Sequence, residues 1–236
     1  MSKFSDAVEV GLSDLLSAPW QIRDGNVVPT TDTVALKNGG VRITAVYLFA
    51  DLADSSKAAQ KLKPEATGKI MRAYLDVAAP TIKHLGGEIR SFDGDRVMGI
   101  FIGDEMCTRA MNAGLGINWA VQNALKPQLA AKWPKLADTW TLGHGIGIDF
   151  GDALVVRAGV RKDNDLVSIG AAPNVAAKLS GLRTGGPLYM TKRTFDACEP
   201  TQRQSSKGQA MWRTHSNQVI GGATHAVVAS GWTRRP

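Results

Sequence analysis

The chain is poor in cysteine. Cys107 and Cys198 are the only two among 236 residues, and no metal-ligand spacing joins them. That argues against a disulfide scaffold, and two isolated thiols fit a reducing cytoplasm. Long apolar runs are missing too. None approaches the roughly 20 residues of a membrane span, so no membrane partner is expected. The N-terminal stretch MSKFSDAVEV places Asp6 and Glu9 where a signal peptide would need its apolar centre. No signal peptide is expected. The four histidines, at 84, 144, 215 and 225, are scattered. No Ser-His-Asp or Cys-His set can be assembled from them, and the glycine pair at 39–40 has no P-loop lysine behind it.

What is present suits one domain of generous size with an appended segment. Apolar residues make up 44% of the chain, enough for a substantial core. The formal net charge is +7. Its basic residues are spread rather than run together, although Arg157, Arg161, Lys162, Lys178, Arg183, Lys192 and Arg193 thicken the C-terminal half. A solvated basic surface and an electrostatic funnel for a polyanionic ligand both fit this pattern.

Residues 1 to about 19 have helical spacing, with Phe4, Val8, Leu12, Leu15 and Leu16 on one face. A linker with one short strand follows to residue 40, and the main domain is expected over 41–236. Within it, 41–52 reads as a strand and 64–85 as a helix opened by Pro64 and closed by Gly86-Gly87. Asp93-Gly94-Asp95 joins two apolar runs, 88–92 and 96–102, as a hairpin. A long helix is expected over 105–133 and a strand over 139–149. A turn at Gly151-Asp152, a further strand, a helix over 175–182 and closing strands at PLYM, AMWRT and HAVVASGW complete the pattern. The order is an α+β, ferredoxin-like βαββαβ core with additional strands.

One stretch carries a conflict. VYLFADLADSS runs an apolar strand, Tyr47 to Ala50, straight into Asp51, with Asp54 three residues on. An uncompensated charge at the edge of a core is costly. In a ferredoxin-like sheet the first and third strands are central neighbours. Their facing ends bring Asp51 close to Asp95 of the hairpin. Two adjacent carboxylates repel unless cations lie between them. Hard oxygen ligands in an open, wet site suit Mg²⁺ or Mn²⁺.

Three motifs then fall in order along the chain. Phe49-Ala50-Asp51-Leu52 fits a Phe-x-Asp-[Ile/Leu] run. Gly94, Asp95, Met98 and Phe101 fit Gly-Asp-x-x-Met-x-x-Phe. Gly170, Asn174 and Ala176 fit Gly-x-x-x-Asn-x-Ala-x-Arg, with Lys178 where arginine is usual. Over residues 41–232 the chain resembles the class III nucleotidyl cyclases. The resemblance implies attack of a nucleoside triphosphate's 3′-hydroxyl on its own α-phosphate, with release of pyrophosphate. It implies two metal ions bridged by Asp51 and Asp95 and helped by the Leu52 carbonyl. Asn174 would orient the ribose, and Lys178 would stabilise charge on the α-phosphate. Replacing the planar arginine fork by lysine is not neutral. Lys207 resembles a lysine that reaches the terminal phosphates. The resemblance also implies a head-to-tail homodimer whose shared sites take the aspartates from one copy and Asn174 and Lys178 from the other.

Purine selectivity in that family rests on two positions, held here by Ser91 and Val167. Neither matches the adenine or the guanine code. Val167 has no side-chain hydrogen bond to offer a base edge, and Ser91 makes only short contacts. Phe49, Tyr47, Arg90 and Arg96 are further candidates to meet the substrate. The chain is most similar to the pyrimidine cyclases of bacterial Pycsar anti-phage defence. That implies UTP or CTP as substrate, UTP favoured on overall resemblance, and a cyclic nucleotide read by a separate effector. A catalytically silent nucleotide sensor is the second hypothesis, for which only Lys178 gives room. An RNA-binding module is the third; Asp51 and Asp95 would repel a phosphate backbone, so nucleic acid is not the expected partner. The Gly-Gly-Asp/Glu-Glu-Phe hairpin of dinucleotide-forming enzymes is absent.

Overall fold

A computed structural model describes residues 3–160 and 162–236; Arg161, one of the basic residues noted above, lies outside the described residues. Helix α1 (Lys3–Ser17) is followed by β1 (Gln21–Asp24), β2 (Gly39–Ala53), α2 (Ser55–Lys61), α3 (Pro64–His84), β3 (Glu88–Asp93) and β4 (Arg96–Phe101). Next come α4 (Met106–Ala120), α5 (Lys126–Lys132), β5 (Gly143–Val160), β6 (Asp163–Ile169) and α6 (Ala171–Leu179). The chain closes with β7 (Leu188–Thr191), α7 (Lys192–Asp196), β8 (Arg213–Ile220) and β9 (Ala223–Ser230). The strands form one sheet in the order β3-β4-β2-β5-β7-β9-β8, with β1 beside β2 and β6 beside β5. Its β3-β4-β2-β5 portion, crossed by α3 and α4, is the ferredoxin-like core.

Strand β2 is the spine. Val46, Leu48, Ala50 and Leu52 point to one face, beneath α3 and α4, in a core that includes Ile70, Tyr74, Ala78 and Ile82 of α3. Those four recur every fourth residue, the stripe of a helix lying on a sheet. Val41, Ile43, Ala45 and Tyr47 point to the other face, against Leu166 of β6 and Ala172 and Ala176 of α6. Covered on both faces, the strand reads as an almost unbroken apolar run. Asp93 pairs with Arg96, leaving Gly94-Asp95 as the turn, and Gly94 takes the positive φ of 60° that the turn requires.

Several local expectations change. The turn at Gly151-Asp152 does not form, and β5 runs through it without a break. Asp152 lies opposite Thr44 of β2, whose hydroxyl donates to it at 2.5 Å, so the ladder satisfies a residue that would otherwise favour a turn. The long helix is not uniform. It widens into a π turn at Val121–Leu125 just before Pro127, which cannot donate to the carbonyl four residues back. Helix α6 begins at Ala171, because Pro173 sits in its first turn where no backbone donor is needed, and it ends at Leu179. Strand β6 and helices α2 and α7 were not expected, and the strand expected at AMWRT lies later, as β8 over Arg213–Ile220. Residues Phe4, Val8, Leu12, Leu15 and Leu16 do share α1, but that helix buries no side chain. Among the described residues no helix is long and apolar enough to cross a membrane.

Candidate active site

Asp51 lies two residues before the end of β2, facing Arg96 of β4 on one side and Gly145 of β5 on the other. Its side chain is 14% exposed, and both its oxygens are taken. Arg96 Nε donates to Oδ1 at 3.3 Å, and Arg183 Nη2 donates to Oδ2 at 3.2 Å. Burial pushes the Asp51 carboxyl above its usual range; Arg96 pulls it down, Asp95 pushes it up and Arg183 pulls it down, with burial winning. Asp95 stands next to Arg96 in the hairpin turn, and its Oδ2 is buried without a hydrogen-bond partner. Beneath them the Tyr74 hydroxyl is likewise buried and unpartnered. It is held far above its ordinary value by burial first and then by the charges of Asp51 and Asp95.

Two coupled carboxylates with an orphaned oxygen make a donor set that fits a hard divalent cation. Among the described residues no group of three or more His, Cys, Asp or Glu side chains converges for a metal. A cation here would therefore need backbone, water or phosphate oxygens as well. The Leu52 side chain is buried in the core, so only its carbonyl could serve.

Helix α6 is seated on β5 by two missing side chains. A Cβ on Gly145 would stand 2.1 Å from the Ser180 carbonyl oxygen, and one on Gly147 would stand 2.0 Å from that of Ala176. The alternating small residues of GHGIGID are thus the footprint of a helix against a strand. Asn174 and Lys178, four residues apart, share the exposed face of α6. Asn174 Nδ2 donates to the Gly170 carbonyl at 3.1 Å. Within one copy neither residue bonds to Asp51 or Asp95. Lys207 lies exposed in a turn, its amide donating to Ser205 Oγ at 3.3 Å, and it too makes no bond to the carboxylates.

Of the expected base-reading residues, Phe49 and Ser91 lie on the face of the sheet beneath α6, whereas Val167 stands between Leu166 and Ser168, which turn to that face, and so points away from it. Phe49 is half-buried and lies opposite Met98, whose sulfur is 3.7 Å from Ser91 Oγ. Val167 on β6 is 46% exposed. Strand β6 is tied to β3 by Arg90, whose Nη2 donates to Asp165 Oδ1 at 2.5 Å and to the Leu166 carbonyl at 2.6 Å. That guanidinium holds the Asp165 carboxyl below its usual range. Tyr47 is fully enclosed in the core under this face. Its hydroxyl is directed at Ser168, which lowers its pKa against the larger upward push of burial, yet neither hydroxyl completes a well-formed hydrogen bond.

Three groups escaped the sequence reading. Arg183 was one basic residue among many. Tyr74 was one residue, not singled out, of the helix expected over 64–85. His144 was a strand residue; its Nε2 meets Asn118 Oδ1 at 3.1 Å, and its ring lies edge-on to Tyr74 at 5.9 Å. Nothing but their three-dimensional neighbours distinguishes them.

The strand order, the paired carboxylates at facing strand ends and the helix laid over β5 define a class III nucleotidyl cyclase catalytic domain. The adenylyl cyclase CyaB from P. aeruginosa superposes with a TM-score of 0.68 at 21% identity, covering 83% of this chain and 97% of that one. The guanylyl cyclase Cya2 gives 0.67 at 24% identity, covering 84% and 96%. No protein-family model matches the sequence. Among individual proteins, a uridylate cyclase of Rhodovulum sp. (strain MB263) is 38% identical over 208 residues, 87% of each chain. Another, of Xanthomonas perforans, is 32% identical over 223 residues, 94% of each. The chain is a nucleotidyl cyclase, and it belongs to the uridylate cyclase family.

Proposed function

We propose that this chain converts UTP to 3′,5′-cyclic UMP and pyrophosphate. The observation that carries the reading is the Asp51–Asp95 pair at facing strand ends, with one buried carboxylate oxygen of Asp95 left unpartnered. Names of relatives support the base, and the absence of either purine code at Ser91 and Val167 agrees with it. Bound Mg²⁺ or Mn²⁺, two ions per site, would supply charge to activate the 3′-hydroxyl and to stabilise the phosphates. Asp51, Asp95 and the Leu52 carbonyl would hold them. The 3′-oxygen forms a bond to the α-phosphorus, the bond to the bridging oxygen breaks, pyrophosphate departs and the hydroxyl proton passes to solvent. Asn174 and Lys178 of a second copy would orient the ribose and meet the α-phosphate. Their exposure on α6, away from any bond to the carboxylates, supports a head-to-tail homodimer over a self-sufficient single copy. Lys207 would reach the terminal phosphates. In this reading residues 41–236 are the catalytic domain and 1–40 an appended segment of a cytoplasmic enzyme. The product would serve a separate effector in antiviral defence, as the Pycsar resemblance implies.

A purine edge left unpaired in a closed site costs about 1–3 kcal/mol per group. Two such groups suppress turnover roughly 10²-fold. Competing all four triphosphates at equal concentration with Mn²⁺, and resolving the products by mass spectrometry, tests the proposal. Cyclic UMP should dominate. Predominant cyclic CMP would overturn the choice of base, and cyclic AMP or cyclic GMP would overturn the pyrimidine reading. Asp51→Asn and Asn174→Ala chains, each inactive alone, should regain activity when mixed as heterodimers.

A further inference from the structure

The turn after α6 carries a guanidinium that the proposed reaction has not used. Arg183 Nη2 occupies Oδ2 of Asp51 at 3.2 Å, while its Nη1 donates to the carbonyls of Ser180 at 2.6 Å and Leu182 at 2.9 Å. Arg96 holds the other oxygen. With Arg183 in place, a cation at Oδ2 would have to share that oxygen with a guanidinium proton and sit beside its positive charge. The side chain is 40% exposed, so its Nη2 edge can leave the carboxylate into solvent while Nη1 stays on the turn. Its seat lies against the neighbouring strand: a Cβ on Gly145 would lie 2.5 Å from Nη1, and the Ser180 backbone carbonyl, 2.1 Å away, keeps that position free of a side chain.

The local charges balance without metal, because Asp51, Asp95, Arg96 and Arg183 together sum to zero. A divalent cation entering between the carboxylates repels the nearest guanidinium, and the triphosphate that arrives with it is the anion within reach. The residue expected on the α-phosphate, Lys178, is a point charge that lacks a planar fork. Guanidinium matches phosphate oxygens in bidentate fashion.

Resting on the cyclase reading above, we infer that Arg183 has two stations. It guards Asp51 in the metal-free chain, and after cation entry it binds the triphosphate, supplying from the same copy the arginine fork that position 178 lacks.

The test is Mn²⁺ binding without nucleotide, followed by electron paramagnetic resonance, in the full chain and in Arg183→Gln. Removing a part-exposed ion pair from Asp51 should tighten Mn²⁺ binding roughly fivefold. Turnover of UTP should fall roughly 10²-fold, as when one donor to developing charge is removed. Arg183→Lys keeps the guard but not the fork. It should leave Mn²⁺ affinity near wild type yet lose turnover, and it stands in if the glutamine variant does not fold. Unchanged or weaker Mn²⁺ binding in a folded Arg183→Gln would overturn the guard, as would tighter binding in Arg183→Lys like that of the glutamine variant. Full turnover in either variant would overturn the phosphate station. If the wild-type chain cyclises no triphosphate, the cyclase reading fails by itself, while the Mn²⁺ comparison still decides the guard.

Discussion

Replacing Gly147 with alanine should prise α6 off the sheet. The new Cβ would stand 2.0 Å from the Ala176 carbonyl oxygen, 2.4 Å from the Ser180 nitrogen and 2.8 Å from Leu179 Cβ. The two nearest are backbone atoms and cannot rotate away. A relaxed carbon–oxygen contact needs about 3.3 Å, so α6 must retreat by more than an ångström. Overpacking of this kind costs about 1–3 kcal/mol, and a clash with backbone belongs at the upper end. In a domain of this size each kcal/mol lowers Tm by about 2–4 °C, so calorimetry should show a fall of roughly 6–12 °C. Because α6 carries Asn174 and Lys178, a shift of that size should also cost about 10²-fold in cyclic UMP production at saturating UTP. Gly68→Ala is the control. It lies in α3 with nothing within 4 Å of the added carbon, and helix propensity should raise Tm slightly. If Gly147→Ala melts within 2 °C of wild type and turns over normally, the tight seating of α6 is wrong.

Burial first, then Lys126 and Arg183, lower the His144 imidazole from 6.5 to about 3, so it stays neutral in the folded chain. The unfolded chain binds that proton below pH 6.5, so the stabilisation is complete above pH 6.5 and is lost as pH falls toward 3, at about 1.4 kcal/mol per unit. Urea unfolding at pH 7 and pH 5 should show a loss about 2 kcal/mol larger in wild type than in His144→Gln, and equal losses would contradict the assignment. Tyr74→Phe removes a buried hydroxyl without a partner, worth about 1–3 kcal/mol, and should raise the Tm of the metal-free protein; a lower Tm would reveal a partner for that hydroxyl. Arg90→Ala should free β6 from β3 and speed hydrogen exchange of the 163–169 amides at least about tenfold, and unchanged exchange would mean the clamp contributes nothing.

Local chemistry made the hairpin, α3 and the core strand order legible. Asp-Gly between apolar runs, Pro64 at a helix start and Gly86-Gly87 at its end each act over a few residues. The proximity of Asp51 and Asp95 followed from topology, because facing ends of central strands can be placed once the order is known. Other features depend on distant partners. Gly151-Asp152 carries turn chemistry until Thr44, 108 residues away, satisfies the aspartate within a ladder. Arg183 is 132 residues from the carboxylate it holds. Burial of Tyr47 could not be read from alternation alone, since β6 and α6 cover a face that an isolated sheet would leave open.

The unbroken course of β5 also limits how the gene can change in length. Residues 143–156 pair one-for-one with β2 over fourteen consecutive positions. Deleting a single codon within 148–150 would slip one side of that ladder and turn its side chains to the opposite face. Asp149, which receives Arg193, Thr191 and Thr194 in a fully buried position, would leave its partners. A bulkier residue would replace Gly147 or Gly145 beneath α6. Codon gains and losses in this region should therefore be excluded from residues 143–156, where each would break the one-for-one pairing with β2.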